Sequence, residues 1–417
     1  MGLLNSRLPD ARFDKVLDPR DPRGRRWGLD TLLTTLVVAS AAGCRSLAEA
    51  ETLTADLSPG ARRLVAIPRR VPDTTLREMA CRLDPEQLRR SLQATARAAQ
   101  RRKALRPEGF PFGVVALDGK VTALPSCDDW YAQRKSNAEG EVMGLLRTVT
   151  CALVSCRAKP LLDAVPIPAP TNEMGIFQHA LEELIATYGN CDLFRLVSYD
   201  AGACSEDNAR AVRQHGLHYL LGLKAGQPTL LAEAEAWLGS LPAEQAMAQT
   251  EDALGGGQRC IRRLYATEEL AGFGGWDHLR VVLRVESETL DAHGRRRAHE
   301  NRYFVSSLPA CRLTASQWLR LVRSHWGVEN ECHGTLDLAF EEDDHPWIEA
   351  HPRGALAIAL LRRIAYNLLA LFRSVTQRDH ERRRTPWRTL MHWLNVALLT
   401  AKEVDVTGLR PRRPAAA

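Results

Sequence analysis

The sequence predicts an α/β protein: a mixed sheet with helices on both faces, preceded by a helical N-terminal domain and interrupted by a β-rich insertion. Three observations carry this expectation. Residues 1 to about 105 show helical signals only. From Phe110, three strand-like segments follow one another and then alternate with helices, in the order β, β, β, α, β, α, β. Strand-like runs resume after residue 226, and helical character returns from Ser316. A meander followed by strand–helix alternation suits a mixed sheet covered on both sides.

Taken in order, Pro19, Pro22 and Gly24 lie in an Arg-rich opening segment, and an apolar helix follows through Leu32 to Ala42. In V-P-D-T-T-L-R-E-M-A-C-R-L, Asp73 or Thr74 can cap a helix whose stripe is Leu76, Met79, Ala80 and Leu83. That helix can present Arg77 to a DNA groove, as in a helix-turn-helix, or can simply be a packed amphipathic helix. The run G-V-V-A-L ends at Asp118, Arg147 to Cys156 reads as a second strand, and Lys159 to Val165 returns as a third. Thr171 is placed to cap a helix through Phe177, Leu181, Leu184 and Ile185. A fourth strand ends at Asp200, a helix covers Ser205 to Gln214, and a fifth strand covers His218 to Leu223. This is the element order of the ribonuclease H-like fold, in which carboxylates from neighbouring strand ends meet at one sheet edge.

Residues 226–310 read as the insertion, with G-G-G-Q at Gly255 to Gln258, strand-like runs at Cys260 to Tyr265, Leu279 to Val285 and Tyr303 to Ser307, and a polar segment around Gly294. Ser316 to Leu338 is expected to be helical, and an apolar helix spans Ala355 to Phe372. The expected organisation is a DNA-binding helical region at 1–105, the core at 106–225, the insertion at 226–310, the helical part of the core at 311–375 and a basic tail at 376–417. The Pro, Arg and Ala residues from Arg410 are expected to be disordered.

The net charge is only +6, but basic residues cluster at Arg20 to Arg26, Arg62 to Arg70, Arg101 to Arg106, Arg295 to Arg297 and Arg382 to Arg388. Separated basic patches suit a protein that follows a phosphate backbone, although each is also readable as a solvated face. The acidic residues concentrate at Glu341 to Asp344. The ten cysteines form no C-x-x-C pair, which argues against a disulfide framework and a zinc ribbon. No signal-peptide pattern opens the chain, and Leu32 to Cys44 is too short to span a bilayer. The expected location is the cytoplasm, with the nucleoid reached by DNA binding and no membrane partner.

The chemistry concentrates at three acids. Asp118 closes an apolar strand in V-V-A-L-D-G-K, where Gly119 is expected to let the chain turn, and Asp200 closes another in L-V-S-Y-D-A. Two carboxylates on adjacent strand ends repel each other unless a cation lies between them, and magnesium takes oxygen ligands while keeping water positions open. Taken alone, each Asp reads more readily as a turn or helix cap than as a ligand. If Ser324 to Leu338 is one helix, Trp326, Glu329, His333 and Asp337 share a side of it. Glu329 can then point at the aspartates, with His333 and Asp337 holding it or a water. A zinc site from His325, Glu329 and His333 is the alternative, but it lacks the H-E-x-x-H spacing.

The blocks V-A-L-D-G-K, V-S-Y-D-A and R-S-H-W-G-V-E-N-x-x-H-x-x-x-D-x-x-F-x-E-D resemble the bacterial insertion-sequence transposases that include the H-repeat-associated proteins. The resemblance extends from D-P-R-D-P-R-G-R-R-W, G-C-R-S-L-A-E-A-E and P-D-T-T-L-R near the N-terminus to T-N-E, L-G-L-K-A-G-Q, Y-F-V-S-S-L and L-L-R-R-I-A-Y-N-L-L later on. It implies a DDE transposase in which Asp118, Asp200 and Glu329 are the catalytic, metal-binding triad. Its cofactor would be two Mg2+ ions, with Mn2+ as a substitute. Its reaction would be phosphodiester hydrolysis and strand transfer at insertion-sequence ends. The implied partners are double-stranded DNA, as terminal inverted repeats and target, and further copies of the chain on that DNA. Lys120, Lys224, Arg323, His325, His333 and Asp337 are the candidates for supporting the acids or contacting DNA. Two rivals share the motifs: a transposase descendant that binds DNA without cutting it, and a metal-dependent nuclease of the same fold.

Overall fold

The computed structural model describes residues 1–125, 129–136 and 139–409. The core opens with β1 (Val114–Pro125), β2 (Ala132–Ser136), β3 (Val142–Leu153) and β4 (Leu161–Pro166), joined by antiparallel pairings. After the helix Glu173–Tyr188, β5 (Leu196–Tyr199) runs parallel to β1. After the helix Glu206–Gln214, β6 (His218–Leu223) runs parallel to β5. The core order is β4-β3-β1-β5-β6, with β2 sharing the outer edge of β3. The insertion adds β7 (Ala248–Ala253), β8 (Arg259–Thr267), β9 (Val281–Leu290) and β10 (Arg296–Ser306). Because β10 pairs antiparallel with β6, these strands lengthen the core sheet and do not form a sheet of their own.

Alternation along each strand sorts its side chains onto two faces. Val114 and Ala116 of β1, Leu196 of β5 and Leu220 of β6 point into one apolar cluster. Val115, Leu117, Val197, Tyr199, Tyr219 and Leu221 point into the other. The second face is covered by the helices Glu173–Tyr188, Glu206–Gln214 and Pro228–Leu238, through Phe177, Leu181, Leu184, Val212 and Leu230. The first is covered by the helices Ala315–His325 and Pro352–Leu371 and by the N-terminal helices.

The helix Pro352–Leu371 joins the two halves of the chain. It packs on the helices Leu29–Ala41, Asp73–Arg82 and Pro85–Arg101 on one side and on β4 on another. With the turn that follows to Thr376 it is long and apolar enough to cross a bilayer, yet 94% of its apolar window is buried in the fold, as expected of a core helix. Its polar side chains are placed with partners. Arg363 pairs with Glu342 at 3.1 Å, both buried. Asn367 accepts from the Leu161 N–H and donates to the Leu161 carbonyl, both at 2.8 Å, and so completes the edge of β4 in the way another strand would.

Several elements differ from the sequence expectation. β1 does not turn at Gly119. It continues to Pro125 against β3, because Lys120, Thr122 and Leu124 keep alternating inward beyond the apolar run. Asn172, not Thr171, caps the following helix by accepting from the Gly175 N–H at 2.9 Å. The edge strand β7 alternates only between half-buried and exposed residues, a pattern too polar to announce a strand. The segment expected as a basic tail contains the helix Trp387–Thr400, with Leu390, Met391, Leu394 and Leu398 buried, and the Ser58 N–H donates to the Leu398 carbonyl at 3.1 Å. Residues 410–417, expected to be disordered, lie outside the described residues. In the N-terminal region the helix Asp73–Arg82 buries Leu76, Met79 and Ala80 and leaves Arg77 exposed, as both readings of it require.

Candidate active site

The register of β1 on β5 brings the two aspartates together. Val114 lies opposite Leu196, Val115 opposite Val197 and Ala116 opposite Ser198. Carried two residues further, this pairing sets Asp118 beside Asp200 on strands about 5 Å apart. Both are even-numbered, so both face the side covered by the helix Ala315–His325. There the helical path does not continue regularly. It widens into a π-helical turn at Val328–His333 before resuming at Gly334–Leu338. Such widened turns recur at functional sites because they re-aim side chains without ending the helix. Trp326, Glu329, His333 and Asp337 all line one cavity of about 750 Å3 together with Asp118 and Asp200.

The environment of each acid differs. Asp118 is about one-fifth exposed and lies 3.3 Å from His333 Nδ1. Asp200 is exposed, and one of its oxygens accepts from the Gly202 N–H at 2.8 Å, so it also caps the short turn after β5. Gly222 of β6 passes against this turn. A Cβ there would stand 3.0 Å from the Ala201 nitrogen, so a bare backbone is needed for the close approach. Glu329 is exposed and lines the same cavity. His333 is buried, and its Nε2 has no hydrogen-bond partner among the described residues. His325 is buried too, with Ser198 Oγ 2.9 Å from its Nδ1. Burial pushes the His325 imidazole below its ordinary value, against the pull of Asp118 and Asp200.

The remaining candidates separate. Lys120 is buried, with its Nζ 2.5 Å from Asp337 and 3.1 Å from Asp343, and Thr122 Oγ1 donates to Asp343 at 3.0 Å. Burial raises the Asp337 carboxyl above the ordinary range, and Lys120 opposes that rise. Lys224 is exposed and lines the cavity. Arg323 does not. It pairs with Asp252 of β7 at 2.9 Å and lines a second hollow. Several residues of the basic clusters are similarly engaged. Arg20 pairs with Asp18 at 2.7 Å, while Arg295 and Arg297 both pair with Asp291 at 3.1 Å. A contrast follows for DNA binding. Lys224→Ala is expected to lower the slope of log affinity against log salt by about one, as the loss of one phosphate contact does. Lys120→Ala is expected to leave that slope unchanged and to lower the melting temperature, because it strands Asp337 and Asp343. Fluorescence anisotropy across a salt series and a thermal melt read the two effects separately.

One residue of the site is not singled out by sequence reasoning. Glu173, the acid of T-N-E, lies behind the aspartates on the other face of the sheet. Tyr199 Oη donates to its Oε1 at 2.7 Å. Burial raises the Glu173 carboxyl above the ordinary range and the charges of Asp118 and Asp200 add to this, against hydrogen bonds from Tyr199 and from the Gly119 N–H. In sequence, T-N-E is one of the blocks shared with the transposases, but an acid in the first turn of a helix reads as a partner of the helix dipole, so no role is assigned to Glu173 there.

The donors available around the cavity are carboxylate oxygens and imidazoles. Among the described residues no three His, Cys, Asp or Glu side chains stand close enough to enclose one ion, and this holds for His325, Glu329 and His333 as it does for the three acids. The Nδ1 of His325 is engaged by Ser198 and that of His333 by Asp118. Magnesium does not need an enclosed cage. It keeps several waters and is held by one or two carboxylates plus substrate phosphates, so the adjacent pair Asp118 and Asp200 at the mouth of an open cavity fits it.

Strand order β4-β3-β1-β5-β6, with one acid within β1, another just past the end of the neighbouring β5 and a third from a later helix, defines a ribonuclease H-like protein. Comparison with known proteins extends this. Residues 110–368 match the model of the transposase DDE domain, and residues 11–95 match a DDE_Tnp_1-associated domain. The chain belongs to the DDE-domain transposase family. Among curated proteins it is similar to YbfL and to the "H repeat-associated putative transposase YhhI", both of Escherichia coli strain K12. Each is 29% identical over 161 residues, which are 36% of this chain and 41% of the relative.

Proposed function

We propose that the chain cuts DNA at the ends of its own insertion element and joins the freed ends to a target, using Asp118, Asp200 and Glu329 as the catalytic carboxylates. The observation that supports this most directly is that three acids separated by 82 and 129 positions in the chain line one open cavity at the sheet end. Asp118 and Asp200 would hold divalent cations, two Mg2+ in the expected form, and Glu329 would complete the set. Such ions, when bound, neutralise the charge that builds on a scissile phosphate and on the entering and leaving oxygens.

The chain's own groups do the rest. Asp118 is held by His333 and by its strand, so its direction is set before DNA arrives. Glu329, exposed in the same cavity, steers the entering oxygen. Lys224 on the cavity wall lies where a phosphate backbone can reach it. In the first step the oxygen of water adds to phosphorus and the bond to the 3′-oxygen breaks, leaving a free 3′-hydroxyl at the element end. In the second that 3′-oxygen adds to a target phosphate, and the target's own 3′-oxygen leaves. Joining two ends in one event requires two such sites, so at least two copies of the chain act on the DNA. The test is a cleavage assay on DNA carrying the native element ends, with Mg2+ or with chelator, for wild type and Glu329→Gln. Cleavage by wild type that needs Mg2+, with none by the variant, is the expected result. Cleavage in chelator, or an active variant, overturns the assignment.

A further inference from the structure

We infer that Glu173 is a positioning residue that sets how Asp118 and Asp200 face each other. The inference rests on the proposed catalytic role of those two acids. The geometry points to it in three ways. First, one carboxylate reaches both central strands. Glu173 Oε1 accepts from Tyr199 Oη at 2.7 Å, and the same carboxylate stands directly against the backbone of Gly119. Tyr199 directly precedes Asp200 and Gly119 directly follows Asp118, so the carboxylate touches the residue next to each acid. Second, strand parity puts Glu173 on the opposite face from Asp118, Asp200 and Glu329. It therefore braces the pair from behind without occupying the cavity. Third, the fit leaves no slack. A Cβ at Gly119 would lie 2.1 Å from Glu173 Oε2, so residue 119 has to lack a side chain for the carboxylate to stand there.

The brace is itself fixed. Asn172 caps the helix that begins with Glu173. One turn along the same helix, Phe177 meets the Tyr199 ring edge-on, with centroids 5.2 Å apart. Helix, tyrosine and strand end thus form one rigid corner. The separation of two carboxylates that share a cation depends on such supports, and losing one typically weakens metal binding by about 10- to 100-fold.

The experiment measures Mn2+ binding to the full chain without DNA, by the electron paramagnetic resonance signal of the free ion. Cleavage is measured in parallel over a range of Mg2+ concentrations. Glu173→Ala is expected to weaken Mn2+ binding about 10-fold or more. It should also shift cleavage to higher Mg2+ while the rate at saturating Mg2+ recovers to near wild type. Tyr199→Phe, which removes the hydrogen bond and keeps the ring, is expected to give a smaller shift in the same direction and guards against a general loss of fold in the first variant. If both variants bind Mn2+ as wild type does, the positioning role is wrong. If Asp118→Asn also binds Mn2+ as wild type does, it is the assignment of the acids that fails. Loss with Asp118→Asn but not with Glu173→Ala or Tyr199→Phe removes the positioning role alone.

Discussion

Asp118→Asn is expected to leave the protein folded and bound to its element ends while lowering cleavage at least about 10³-fold, equivalent to ~4 kcal/mol of barrier. The shape of the side chain is kept, and Asn still fills the space beside His333. What is lost is one negative charge of an adjacent pair. Asp118 and Asp200 each lie two residues beyond the last β1–β5 pair, Ala116 and Ser198, and each charge raises the carboxyl of Glu173 behind them. Without a cation these charges oppose one another, so the variant should melt no lower than wild type in chelator. Added Mg2+ should then raise the melting temperature of wild type, because a ligand that binds only the folded state stabilises it by mass action. The variant should gain little. A melt with and without Mg2+, beside a binding assay on element-end DNA, checks all three statements. A variant that cleaves normally removes Asp118 from the site.

The second large effect concerns the fold. Asp163→Ala is expected to destabilise the protein by about 3–5 kcal/mol, the usual cost of removing one partner from a buried ion pair. Arg89, on the helix Pro85–Arg101, is 2% exposed, and Asp163 of β4 is wholly buried. They meet in a forked pair at 3.0 and 2.7 Å, and Gln93 Nε2 and the Ala164 N–H also donate to the same carboxylate. Burial disfavours the Arg89 charge, but Asp163 and Glu86 more than offset it and hold the guanidinium above its ordinary value. Removing Asp163 leaves that charge buried between the N-terminal helices and the sheet. Arg157→Ala is the control. Its pair with Glu108 is more than two-fifths exposed on both sides, and its loss should cost less than about 1 kcal/mol. Urea midpoints of the three proteins give the comparison. A shift for Asp163→Ala no larger than for Arg157→Ala would show that the helix Pro85–Arg101 is not anchored through this pair.

The order of the buried core strands was readable from the sequence because each carries its own apolar signature, whereas β2, the polar edge strand A-Q-R-K-S, was missed. V-V-A-L, L-V-S-Y and Y-L-L-G-L are buried on both faces and stand out as short apolar runs. The extent of β1 was not readable, since past Leu117 one face of the strand opens to the cavity and the run stops while the strand goes on. β7 was missed for a related reason, as an edge strand buries too little to leave a pattern. Trp387 to Thr400 reads as part of a basic tail because the arginines before it dominate its composition, whereas its burial depends on the N-terminal helices it packs against.

The three acids and their likeness to transposases were legible because each sits in a motif whose residues are neighbours in the chain. Which side chains support them was not. Lys120, two residues from Asp118, turns inward to Asp337 and Asp343. Arg323, six residues from Glu329, turns away to Asp252. Glu173, far from all three acids in sequence, stands behind two of them. Local pattern determines periodicity, and periodicity determines which face a residue occupies. Pairing register and helix packing determine what lies across from it, and these depend on the whole sheet closing at once.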